Sequence, residues 1–211
     1  MLYRQIIISL KKHFQNYFIF YFILVLFFVF GIIIGPLVIQ KISHTVRMVF
    51  IRLSHPFLKD IYMGEYVSFS MVKTSIFNNI LLILMITVLG LLNFGFFLIP
   101  FLISLKGLFI GITVAFLVES YGVRGFLSSL IGIYPQNIFI IGGLIGIGAV
   151  SMSMSYNMRV SYIKNPLWSR NININEYIFM ILIFLLPIII GSIIEGILSP
   201  KILQMTIESF Y

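Results

Sequence analysis

Ionisable side chains are scarce inside the apolar stretches of this sequence, so the few found there carry most of its chemical information. Lys106 stands near the middle of an apolar run from Phe94 to Val118 that ends at Glu119. An ammonium at that depth in hydrocarbon costs at least ~2.5–3.5 kcal/mol, so it needs a partner, a water-filled cavity or a helix end from which to snorkel. Glu119 and Glu195 are the acidic candidates near apolar segments. Glu119 follows Lys106 by thirteen residues, which puts the two on different faces of a straight helix. Glu195 therefore makes the better interhelical partner. It also shares a helical face with Pro187 and Gly191, at spacings of four.

Two further patterns bear on chemistry. Pro135-Gln136-Asn137 interrupts an apolar run and offers side-chain amides to the backbone groups that a proline frees. Broken helices of this kind occur at transport sites in membranes and also as simple kinks. Gly107, Gly111 and Ala115 form a small-residue stripe at spacings of four, and Gly142 and Gly146 repeat it. Such stripes let two helices approach closely, either inside one chain or across a homodimer seam. Thr113 lies between Gly111 and Ala115.

Catalytic signatures are missing. The sequence has no HExxH, no GxSxG, no P-loop and no dinucleotide fingerprint. With no cysteine, thiol chemistry, disulfides and Cys-ligated metals are excluded. The three histidines, His13, His44 and His55, are scattered. Acid–base work would rest on Glu119 or Glu195 alone, so the expectation is a protein without catalytic residues, metal or cofactor.

The elements that must position these residues follow from composition. Hydrophobic residues make up 60% of the 211 and charged residues 9%. Soluble domains carry about 25% charge, so this composition predicts one all-α membrane domain over 1–211, a polytopic helix bundle surrounded by lipid. The net charge of +8 fits basic flanks that orient helices, and no basic run suggests nucleic acid. Tyr17–Ile39 is uncharged and reaches roughly 34 Å as a helix, enough for a bilayer core of about 30 Å. It carries a Gly31/Gly35 pair and Pro36, and is read as an uncleaved first span with the N-terminus in the cytoplasm.

Further spans are expected at Ile76–Leu92, Phe94–Val118, Phe126–Val150 and Tyr177–Leu198, with Asn93 in a tight turn. Residues 40–75 read as an extracytoplasmic or interfacial segment. It opens with a basic amphipathic helix in which Lys41, Arg47 and Arg52 lie away from the apolar face. Residues 151–175 read as a polar loop. The rival topology runs the second span from Ile76 to Phe101 and makes Leu108–Ser120 and Val123–Ile133 a re-entrant pair of half-helices.

The middle third resembles a known family. Lys106-Gly107, Gly111-x-Thr113-Val114, Leu117-Val118-Glu119, a turn with Gly122 and Gly125, and Pro135-Gln136-Asn137 stand in the order of the stage II sporulation protein M family. The chain length, basic N-terminus and polar gap before the second span fit as well. The resemblance implies a multi-pass protein of the mother-cell membrane at the sporulation septum, needed for engulfment. It would act as a non-catalytic scaffold for septal peptidoglycan-degrading partners of the stage II sporulation D and P families. The rival class is a transporter or channel subunit with a polar pathway around Lys106, Pro135 and Glu195.

Overall fold

The computed structural model describes residues 2–41, 68–164 and 174–208. Among the described residues five helices follow one another: α1 (Leu2–Lys41), α2 (Ser68–Gly90), α3 (Gly95–Gly132), α4 (Tyr134–Lys164) and α5 (Ile174–Glu208). Each contains a stretch long and apolar enough to cross a membrane: Leu10–Lys41, Val72–Gly90, Gly95–Glu119, Tyr134–Val160 and Ile174–Ile197. The chain is a multi-pass membrane protein of the all-α class. The amphipathic segment after Lys41, with Arg47 and Arg52, lies outside the described residues; Lys41 itself is the exposed last residue of α1.

α4 is the central element. Of its spanning window 72% is buried, against 17–33% in the other four, and it packs on α1, α2, α3 and α5. A helix without a polar face has to be surrounded on every side. From Gly146 to Ser155 every residue is buried. Around it α1 lies along α3, and α2 lies along α5. Phe, Leu and Ile side chains on the outer faces are exposed, for example Phe22, Phe30, Leu84, Phe101 and Leu186, as a lipid-facing perimeter requires.

Among the described residues the chain changes course at Leu91–Phe94, at Gly122 and at Ile133. Between α2 and α3 the chain reverses over Leu91–Phe94, with Leu91 N donating to Val88 O (3.0 Å) and Gly95 N to Leu92 O (3.1 Å). The Asn93 turn is therefore real, and the continuous Ile76–Phe101 span of the rival topology does not form. At Gly122 (φ 59°, ψ −135°) the long α3 breaks. No atom would obstruct a Cβ there, so the glycine answers a backbone demand: positive φ is costly for any residue with a side chain. Past this break the chain is helical again to Gly132, and α4 starts after Ile133. The arm before Gly122 is a full span, so the half-helix pair is replaced by one complete helix and a short helical segment after the break.

Two boundaries differ from expectation. The fourth span is shifted towards the C-terminus, to Tyr134–Val160. The expected loop at 151–175 is helical from Ser151 to Lys164. Its serines read as loop residues because they are polar, yet Ser151, Ser153 and Ser155 are buried and hydrogen-bonded. Likewise α2 starts at Ser68, inside the segment read as extracytoplasmic.

Small residues bring α1 and α3 into backbone contact. On α1, a Cβ at Gly31 would collide with the carbonyl oxygen of Ser104, and one at Gly35 would stand 2.6 Å from the carbonyl carbon of Gly111. On α3, a Cβ at Gly107 or Gly111 would collide with the carbonyl of Phe28 or Ile32. The two glycine pairs thus interlock backbone to backbone. Gly111→Leu is expected to destabilise the bundle by at least ~1–3 kcal/mol, read as earlier unfolding in a detergent titration. Five spans also make a sidedness prediction. With no native cysteine, Lys12→Cys and Asn93→Cys should react with an impermeant thiol reagent from one face of the membrane, and Glu119→Cys only from the other.

Candidate functional site

The polar groups of the interior collect at two depths. The deeper set lies between α2, α3 and α5. Lys106 projects from α3, eleven residues or roughly 17 Å after Gly95, near the middle of its span. Its Nζ donates to Asn79 Oδ1 (3.2 Å) on α2. Asn79 is 2% exposed, and its amide nitrogen donates to Ser192 Oγ on α5 (3.0 Å) and lies 3.5 Å from Ser75 Oγ. Ser75 donates to the carboxylate of Glu195, and Ser192 donates to Ile188 O of its own helix (2.8 Å).

Helical spacing explains the assembly. Ser75 and Asn79 are one turn apart on α2; Ser192 and Glu195 are three residues apart on α5. Gly191 and Gly196 let α5 close on its neighbours: a Cβ at Gly191 would stand 2.8 Å from Gln136 O, and one at Gly196 2.5 Å from Val72 Cα. Lys106 and Glu195 are thereby linked through Asn79 and Ser75. Each member has a partner, so the array holds one positive and one negative group inside the bundle without stranding either.

The shallower set surrounds the C-terminal half of α4. Ser151 Oγ meets Tyr177 Oη on α5 (3.0 Å), and that hydroxyl donates to Thr87 O on α2 (2.8 Å). Ser153 bonds His13 on α1 (3.1 Å), whose other ring nitrogen meets Tyr21 Oη (3.1 Å). Ser155 Oγ donates to Leu92 O (2.5 Å) and accepts from Phe96 N (2.9 Å), capping the start of α3 from outside. Asn157 donates to Tyr17 Oη (2.8 Å), and Arg159 lies over the Phe96 ring at 5.3 Å. Alternate residues of α4 thus reach α5 and α2, α1, and the α2–α3 turn.

Gly107 and Gly111 are closed against α1, so that stripe is occupied inside the chain and offers no homodimer seam; Ala115 is half-buried farther along α3. Gly146 packs under Phe184 of α5, but Gly142 faces outward with nothing near it, so those two do not form one stripe. Thr113 is exposed and donates to Phe109 O of its own helix (2.9 Å). Glu119 is exposed at the far end of the α3 span, and the helix between it and Lys106 is unbroken.

Pro135 sits in the first turn of α4, where a missing N–H is harmless. Gln136 donates to Gly132 O, and Asn137 donates to Ile133 O (2.7 Å), so both amides serve the carbonyls at the break. Pro187 lies within α5, one turn before Gly191.

Ser75, Asn79 and Ser192 were missed as site residues. Their signal was present as polar pairs one turn apart in otherwise apolar stretches, but no local pattern says which helix such a pair faces. Among the described residues no group of three His, Asp or Glu side chains could hold a metal.

The tie makes a double-mutant prediction. Asn79→Ala strands an ammonium and should cost ~1–3 kcal/mol; in a Lys106→Met background the same change should cost clearly less. Equal costs in both backgrounds, measured by unfolding in mixed micelles, would show that Lys106 and Asn79 do not interact.

Comparison with known proteins places residues 24–200 in a match to the family described as stage II sporulation protein M. No curated protein and no solved structure matches.

Proposed function

The chain belongs to the stage II sporulation protein M family, and on that premise we propose that it is a non-catalytic membrane scaffold that recruits and localises peptidoglycan-degrading proteins during sporulation. The partners would be members of the stage II sporulation D and P families, and the place of action the mother-cell membrane at the septum during engulfment.

The observation that carries this reading is the tie from Lys106 through Asn79 and Ser75 to Glu195. Its polar groups hydrogen-bond one another across three helices and hold those helices in one arrangement. A platform needs that rigidity: partners bound at separate faces keep their spacing only if the bundle keeps its shape. The apolar perimeter supports the same reading, because it is broad enough to receive transmembrane segments of other proteins alongside lipid.

A transporter subunit is the second reading, since Lys106 and Glu195 are joined through Asn79 and Ser75 within the bundle. The two readings separate by experiment. A tagged copy from sporulating cells should co-purify D and P family proteins, Gly111→Leu should lose them, and Thr113→Val, which removes a hydroxyl bonded to its own helix, should retain them. Purified protein in liposomes should pass no solute. Solute flux abolished by Glu195→Gln, with no captured hydrolase, would replace the scaffold by a transporter.

A further inference from the structure

The outer face of α2 carries an asparagine that the interior tie does not use. Asn79 points inward, while Asn78, rotated about 100° from it, is exposed. Asn78 lies six residues inside the span that starts at Val72, or about 9 Å. A primary amide at that depth has no water to bond and gains by finding a donor and an acceptor on a neighbouring helix.

The residues around it are regularly spaced. Thr74, Asn78, Leu81, Met85 and Val88 succeed one another at intervals of four, three, four and three. All five are exposed, with Leu81 at 50%, Met85 at 45% and Val88 at 49%. An unbroken 3.5-residue repeat is the spacing that keeps one seam facing a partner helix along a left-handed crossing. One asparagine in such a seam sets register and the number of strands.

We propose that this face of α2 is a homodimer seam, in which Asn78 hydrogen-bonds Asn78 of a second copy of this chain. An amide is both donor and acceptor, so one residue satisfies its own copy across a two-fold axis. Two copies inserted with the same topology present α2 in parallel, as an axis normal to the membrane requires. The glycine stripes of α1 and α3 are closed on each other, so the dimer forms on a face free of them. The seam does not depend on the scaffold reading and can stand or fall without it.

The test uses the full-length protein in lipid bilayers. Under mild oxidation Leu81→Cys and Met85→Cys should give disulfide-linked dimers, and Ile33→Cys, on the exposed face of α1, should not. Asn78→Leu keeps the face apolar and packed, and should raise the dimer dissociation constant about 3- to 10-fold, measured by energy transfer between labelled copies. Monomeric protein overturns the proposal. So does cross-linking at Ile33→Cys equal to that at Leu81→Cys, an unchanged dimer in Asn78→Leu, or an α2 face cross-linked only to a different protein. Capture of D and P family proteins is scored separately, so its failure leaves the dimer result intact.

Discussion

Hydrocarbon offers a polar side chain no water, and the arrangement of this bundle turns on that constraint at Lys106. An ammonium near the middle of α3 is tolerable only when other helices bring oxygen to it. Asn79 supplies that oxygen, and its own amide then needs Ser192 and Ser75. Ser75 in turn engages Glu195. One charged residue thereby dictates the rotation of α2 and α5 about their axes, since either helix turned by one residue would point its polar pair into lipid.

The rest of the bundle follows the same logic with weaker groups. Serines at alternate positions of α4 satisfy a different neighbour each: Tyr177, His13, and the turn that starts α3. Between α1 and α3 no polar side chain is needed, because glycines bring the two backbones into direct contact. The molecule therefore combines two ways of holding helices in lipid: close backbone packing on one side and side-chain hydrogen bonds on the other. Neither is a mobile contact, so both hold the helices in one arrangement.

Much of the architecture was legible before the fold was known. Span number, the Asn93 turn and the break near Pro135 follow from hydropathy and from the backbone demands of Gly and Pro. Ser151–Lys164 misled because a run of serines signals a loop in water, whereas in a central membrane helix the same hydroxyls bond neighbouring helices. Gly142 misled for a related reason: a spacing of four shows that two glycines share a face, not that a helix lies against it.

Sequence alone determined that the chain crosses the membrane several times, that it turns at Asn93, and that Lys106 needs a partner, a wet cavity or a helix end. These are local matters of length, hydropathy and backbone freedom. Only the tertiary structure decided which partner. It set Asn79 between Lys106 and Glu195, closed the Gly107/Gly111 stripe on α1, and turned Asn78 to the outside. Those choices depend on the relative rotation of helices far apart in the chain, and rotation is fixed by all contacts at once rather than by any one segment.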